Sequence, residues 1–190
     1  MVSFADKPIL TFMTPEEWDA YLSDNPDPGG VRLKLRKKAA VDPGISYAEA
    51  LDVALCHGWI DGQAGAFDEQ YKLQAFTPRR RTSPWSQVNR EHVARLLAEG
   101  RMLPGGLAEV ERARADGRWD AAYRQRDAEV PADFQRALNT DSEALAFFGT
   151  VTGHKRFAFL FRLSQLKRAE TRDRRIAEYV ALLREGRTLT

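Results

Sequence analysis

Between Leu55 and Gln63 the chain reads Leu-Cys-His-Gly-Trp-Ile-Asp-Gly-Gln, gathering the only cysteine, one of three histidines, a tryptophan and a carboxylate around two glycines. Cys56 offers a thiolate nucleophile and His57 an acid or base. Asp61 offers a proton acceptor, a group that orients an imidazole, or an anchor for a ligand amine or hydroxyl. Local geometry weighs against the thiol, because a helix C-terminus disfavours a thiolate. Neighbouring helical residues also point about 100° apart, so Cys56 and His57 cannot pair directly. Cys56 therefore reads as a small core residue. Helix capping accounts for His57 beside the negative end of the dipole, for Gly58 in the left-handed position and for Trp59 in contact with Ala54. Asp61, followed by Gly62 and Gln63, is left over; it either holds a turn through backbone amides or projects into a cleft.

A second stretch, Thr77-Pro78-Arg79-Arg80-Arg81-Thr82-Ser83-Pro84-Trp85-Ser86, has the composition of an anion site. Ser83 as N-cap and Pro84 in the first helical turn would put free backbone N–H groups beside three guanidiniums, with Trp85 as a stacking surface for a flat group. Tyr71, Phe76, Arg79 and Asn89 line the same cleft if the strands before and after Asp68 pair. The competing reading is a solvated surface charge cluster. Arg172, Arg174 and Arg175 suggest nucleic acid, but Glu170, Asp173 and Glu178 intersperse them. Ile176, Tyr179, Val180 and Leu183 mark a core stripe there, so a salt-bridged surface helix is favoured. His57, His92 and His154 are scattered, and no glycine-rich phosphate loop or nucleophile elbow occurs, so neither a metal nor a cofactor is expected.

Positioning these groups requires an α+β framework. Thr14-Pro15-Glu16-Glu17 starts a helix with Thr14 as N-cap and Glu17 closing a capping box, and Trp18, Tyr21 and Leu22 form its inward face. The turn Asn25 to Gly30 leads into Val31-Arg32-Leu33-Lys34-Leu35-Arg36, an alternation that predicts a strand with one apolar and one basic face. Ser46-Tyr47-Ala48-Glu49 is a second capping box, opening the helix that delivers the chain to Cys56. Ile60 to Phe67, Tyr71 to Thr77 and a short Ile9 to Phe12 complete a small mixed or antiparallel sheet with flanking helices in the N-terminal half, up to Pro84. From Ser83 onward the period is helical, with Gly100 and Pro104-Gly105-Gly106 separating segments. Pro131 to Leu138, Asp141 to Phe148, Lys155 to Leu163 and Thr171 to Arg184 make a helical C-terminal half. The expected division is an α+β domain with a helical extension over 1–126 and a helical module over 130–190, hinged at Asp127 to Val130.

A chain of 190 residues with 43% hydrophobic and 29% charged residues is long enough for a buried core without a metal or disulfide. Its net charge of +2 gives no global reason to bind nucleic acid or anionic lipid. Asp6, Lys7, Pro8 and Pro15 interrupt any signal-like start, and no window reaches the apolar length of a membrane span, so a cytoplasmic protein without membrane partners is expected.

Several motifs carry a family likeness: Ala54 to Gly62, Phe76-Thr77-Pro78-Arg79, Ser83-Pro84-Trp85-Ser86 with Asn89, Glu99-Gly100-Arg101-Met102, Asp116-Gly117-Arg118-Trp119 with Ala122-Tyr123, and Lys167 to Ile176. Through them nearly the whole chain resembles the YdeI/OmpD-associated, bacteriocin-protection (OmdA) family. His57 stands where that family commonly has phenylalanine, and Ala169 lies near a common proline, so catalysis through His57 is not implied as a family property. The resemblance implies an association with antimicrobial-peptide resistance and stress, without a reaction, cofactor or catalytic residues to carry over. Some relatives join the C-terminal module to a frataxin-type iron-binding domain, whose acidic ridge is not apparent here. The expected function is binding of a small anionic molecule in a cleft between the Trp59 to Gln63 turn and the Thr77 to Ser86 segment. Lys34, Trp59, Gln63, Tyr71, Thr77, Arg79, Arg80, Ser83, Trp85 and Asn89 would line it. The alternatives are an enzyme using Asp61 with His57 or Lys34 for acid–base chemistry, and an interaction module working through the C-terminal helices with a protein partner.

Overall fold

The computed structural model describes residues 3–25, 29–122 and 129–189, with the side chain of His154 outside the description. The expected turn residues Pro26 to Pro28, Tyr123 of the quoted motif, and Asp127 and Ala128 of the expected hinge also lie outside the described residues. The chain divides into two compact units, Met1–Ala122 and Tyr123–Thr190. It is an α+β protein with one four-stranded mixed sheet in the N-terminal half and a helical C-terminal half.

In the first unit, β1 (Ile9–Leu10) is followed by α1 (Pro15–Asp24), β2 (Val31–Arg36), α2 (Tyr47–Cys56), β3 (Trp59–Ala66), β4 (Tyr71–Pro78), α3 (Gln87–Ala98) and α4 (Pro104–Ala115). Thr14 caps α1 as expected, but the Glu17 carboxylate accepts from the Met13 backbone N–H, one residue before the expected box partner. Ser46 and Glu49 form the full capping box on α2. The sheet order is β1-β2-β4-β3, with β1 parallel to β2 and the other pairings antiparallel. The alternation in β2 becomes two faces: Val31, Leu33 and Leu35 are buried, and Arg32, Lys34 and Arg36 are half-buried on the opposite side.

The basic side is covered in part by the N-terminal segment. Arg32 donates to the carbonyls of Ala5 at 2.8 Å and Lys7 at 2.9 Å, and its guanidinium lies 5.2 Å from the Phe4 ring centroid. On the other side the helices close a core around Trp18, whose ring meets Trp59 edge-on at 6.0 Å and whose indole N–H donates to the Ala50 carbonyl. Each aromatic contact of this kind adds about 0.5–1.5 kcal/mol to the burial term.

Pro104-Gly105-Gly106, expected to separate two helices, is instead the first turn of α4. The reason is packing. A Cβ on Gly106 would sit 2.4 Å from the Cys56 carbonyl oxygen and 2.6 Å from that of Leu55, and one on Gly105 would sit 2.8 Å from that of His57. The positive end of α4 therefore meets the terminal carbonyls of α2, an approach open only to glycine.

The second unit consists of α5 (Ala132–Asn139), α6 (Ser142–Thr150), α7 (Gly153–Ser164) and α8 (Ala169–Arg184). Phe134, Leu138, Phe148, Phe159, Leu163, Tyr179 and Leu183 form its core. The α8 surface is laced by ion pairs, as its charge spacing predicts: Arg172 forks onto Asp133 and donates to the Leu163 carbonyl, and Arg175 pairs with Glu178. Among the described residues no helix is long and apolar enough to cross a membrane.

Candidate functional site

Helix α2 ends at Cys56, His57 is its C-cap, and Gly58 takes the left-handed conformation (φ +80°) that turns the chain into β3. Cys56 is 4% exposed, and burial pushes its thiol above the ordinary value, so it is a core residue. The His57 Nε2 lies 2.8 Å from Asp19 Oδ1 across to α1. A cavity of about 280 Å³ opens on that side between Pro15, Asp19, Val53, Cys56, Arg101 and Leu103.

Asp61 lies within β3, on the helix-facing side opposite Phe76, and its Oδ2 accepts a 2.9 Å hydrogen bond from the Tyr47 hydroxyl in the first turn of α2. A bulge between Asp61 and Ala64 interrupts the pairing with β4. There the buried Gln74 amide donates to the Gly62 carbonyl at 2.7 Å, filling a gap in the ladder. The Lys72 ammonium sits 4.7 Å from the Tyr47 ring centroid.

Lys34 is on the opposite face of the sheet, 3.9 Å from the Tyr71 ring centroid and 4.9 Å from that of Phe67. Tyr71 donates its hydroxyl to the Pro43 carbonyl. Asp61 is thus joined to neither His57, which is held by Asp19, nor Lys34, from which the sheet separates it. The alternation of β2 accounts for this: the same period that makes Lys34 basic-face places it away from α2.

Beyond β4, the Arg79 backbone N–H donates to the Gly58 carbonyl at 3.0 Å and extends the hairpin. Its guanidinium lies 3.5 Å from the Trp85 ring centroid, 6% exposed, and donates to the Pro84 carbonyl. The helix that follows is capped by Ser86, not by Ser83 as expected, and begins at Gln87. Ser83 instead closes a turn, accepting from the Arg80 N–H through its hydroxyl at 3.0 Å while its own N–H donates to the Arg80 carbonyl. Local bonds satisfy Ser83 before the helix starts, which is why its capping residue type misleads.

Trp85 meets Trp119 at 4.9 Å with their planes at 63°. Arg90 and Arg114 lie over the Trp119 ring at 5.1 and 5.3 Å, Arg90 donates to the Trp119 carbonyl, and Arg118 donates to the Ser83 carbonyl at 2.8 Å. Arg79, Arg90, Arg114 and Arg118 thus gather around two indoles, and the turn carrying Arg80 and Arg81 is fastened to them.

Of the remaining expected site residues, Trp59 is buried in the core, Asn89 is buried in the first turn of α3, Thr77 packs its methyl toward Gly30, and Gln63 is exposed within the bulge. The expected residues therefore fall in three places: the helix-facing side at Asp61, the basic face at Lys34 and Tyr71, and the turn from Arg79 to Trp85. Reasoning from the sequence missed Tyr47, Lys72 and Gln74 around Asp61, and Arg90, Arg114, Arg118 and Trp119 around Trp85. The second group had a signal in Asp116-Gly117-Arg118-Trp119, the quoted motif that carries two of its members.

Residues 10–109, more than half of the chain, match the family model described as a domain of unknown function, DUF8412. The chain belongs to the DUF8412 family. Residues 127–186 match the model described as Bacteriocin-protection, YdeI or OmpD-Associated, so the second unit carries the likeness to that family. No curated protein and no solved structure matched. The motifs from Leu55 to Arg101 fall in the DUF8412 match, and those from Lys167 to Ile176 in the YdeI/OmpD-associated match.

Guanidiniums recognise carboxylates and phosphates through paired N–H donors. Arg80, Arg81 and Arg114 are exposed, and none of them makes an ion pair among the described residues. Among those residues no group of three histidines, cysteines or carboxylates could hold a metal ion.

Proposed function

We propose that this chain is a binding protein of the bacteriocin-protection type whose DUF8412 unit captures an anionic molecule at the arginine–tryptophan cluster. One observation carries the reading: exposed Arg80 and Arg81 lie on a turn that Ser83 and Arg118 hold, next in the chain to Arg79, whose guanidinium lies over Trp85. An anion arriving there meets guanidiniums carried on a turn whose backbone is already held, so less backbone entropy is lost on binding. The cluster sits at the end of the hairpin, and Lys34 takes no part in it. An enzymatic role for Asp61 has less support, since its described partner is the Tyr47 hydroxyl rather than a base.

Thermal unfolding in the presence of inorganic phosphate, pyrophosphate or citrate tests the reading. A ligand at about a hundred times its dissociation constant adds about 2.7 kcal/mol of stability. The expected result is an upward shift with at least one of these anions that Arg80→Ala/Arg81→Ala abolishes and Lys34→Ala leaves intact. No shift with any of them, or a shift that the double variant retains, overturns the proposal.

A further inference from the structure

The YdeI/OmpD-associated unit carries a groove of about 510 Å³ between α5 and α8. The two helices run parallel, because Asp133 near the start of α5 bonds Arg172 near the start of α8, and Asp141 just after α5 lies 3.7 Å from Arg184 at the end of α8. The α8 side of the groove is Asp173, Ile176, Ala177, Val180, Ala181 and Arg184. Ala177 is exposed, and Val180 and Ala181 are half-buried. The spacing of Asp173, Ala177, Val180 and Arg184 alternates four and three, the repeat of a helix–helix seam.

These six residues are symmetric about a point between Glu178 and Tyr179. When α8 is laid against a second α8 in the antiparallel sense, residues at equal distance from that point fall at the same height. Asp173 then faces Arg184 of the other copy and Ala177 faces Val180, with Ala181 level with Ile176, which is 6% exposed and belongs to the unit's own core beneath the seam, and the two-fold axis makes every contact twice. Val180 meets an alanine, and alanines allow axes to approach to about 8 Å. Charge agrees with shape. Asp173 makes no ion pair among the described residues, and Arg184 is 57% exposed with only the 3.7 Å contact to Asp141. The antiparallel sense also opposes the two helix dipoles.

From this self-complementarity we infer that the groove is an interface for a second copy of the same chain, closed by antiparallel α8–α8 pairing with two Asp173–Arg184 ion pairs. The interface lies within the second unit and uses neither Arg80 nor Arg81, so it stands or falls separately from anion binding.

Sedimentation of the full chain across low to high micromolar concentrations tests it. The wild type is expected to dimerise, and Asp173→Arg and Arg184→Asp each to weaken the dimer by about tenfold or more, since each sets like charges face to face twice. Mixing the two variants in equal amounts is expected to restore a heterodimer, because the first presents arginine at both positions of the pair and the second aspartate at both. Ala177→Arg, at an exposed position near the axis, is expected to abolish the dimer while circular dichroism shows the helices intact. A wild type that stays monomeric overturns the inference and leaves the groove to a partner of different sequence. A dimer that survives Ala177→Arg, or a mixture of charge variants that gains nothing over each alone, overturns it as well.

Discussion

Replacing Gly58 by alanine tests whether the turn that delivers β3 is fixed by its backbone alone or also by the docking of α4. Two costs are separable. Gly58 has φ +80°, and holding an L-residue in that region costs about 1–2 kcal/mol. The added Cβ would also stand 2.7 Å from the Gly105 carbonyl oxygen and 3.0 Å from its carbon, so α4 must give way. Overpacking of that kind costs about 1–3 kcal/mol, for a total of about 2–5 kcal/mol. Gly100 is the control, with φ +66° and nothing within 4 Å of an added Cβ, so Gly100→Ala carries the backbone cost only. All four tryptophans, Trp18, Trp59, Trp85 and Trp119, lie in the first unit, so fluorescence during urea unfolding follows that unit alone. With a slope of about 2 kcal/mol per molar urea, the midpoint should fall by about 1–2.5 M for Gly58→Ala and by about 0.5–1 M for Gly100→Ala. Equal midpoints at unchanged slope would refute the docking argument, since the backbone term would then account for everything.

Two further outcomes follow from titratable groups. In the second unit, the Arg172 hydrogen bond holds Asp133 below the usual carboxylate range. The unfolded chain takes up that proton first as pH falls, so the stability from the pair is complete above the ordinary carboxylate pKa and is lost as pH drops through the lowered folded value. Arg172→Ala should cost about 1–2 kcal/mol near neutrality, reduced from a fully buried pair by partial exposure, and the deficit should shrink in acid to what the bond to the Leu163 carbonyl contributes. Urea melts followed by circular dichroism across pH check this; a deficit that persists unchanged at low pH would contradict it. In the first unit, the buried Cys56 thiol with its raised pKa should react with an aromatic disulfide reagent only as the unit unfolds. Labelling of the native protein at the rate of a free thiol would contradict that burial.

Local signals carry most of the elements. The alternation from Val31 to Arg36 matches β2 residue for residue, and Ser46 with Glu49 marks the start of α2, because both signals depend on side chains bonding or facing within a few residues. Two helix starts mislead. Ser83 has the capping residue type, but its hydroxyl is spent on the Arg80 N–H, and nothing local ranks it below Ser86. Pro104-Gly105-Gly106 has breaker composition, yet its glycines serve a contact with the Leu55 and Cys56 carbonyls almost fifty residues earlier. The site is legible only in pieces for the same reason. Asp61 and Arg79 are each visible as chemistry, but Tyr47, which bonds Asp61, and Trp119, which packs on the Trp85 under Arg79, lie on other elements, and only the register of the sheet and the packing of the helices decide which groups meet.

The arginines of the first unit show how one residue type divides between building a surface and using it. Arg79 sits over Trp85 at 3.5 Å from the ring centroid and donates to the Pro84 carbonyl, a combination that suits a planar guanidinium with several N–H donors. Arg118 pins the Ser83 carbonyl and so fixes the turn. Lysine at either position would keep the charge and lose the geometry. Arg80 and Arg81 differ: only the backbone of Arg80 serves the turn, and neither side chain makes a described bond. Their backbone is thus held by neighbours that do not need their charge, while the guanidiniums extend into solvent. The proposed anion binding rests on exposed guanidiniums carried by a held turn, which can recognise a carboxylate or phosphate through paired N–H donors, whereas proton transfer would need a titratable partner that arginine does not supply at ordinary pH.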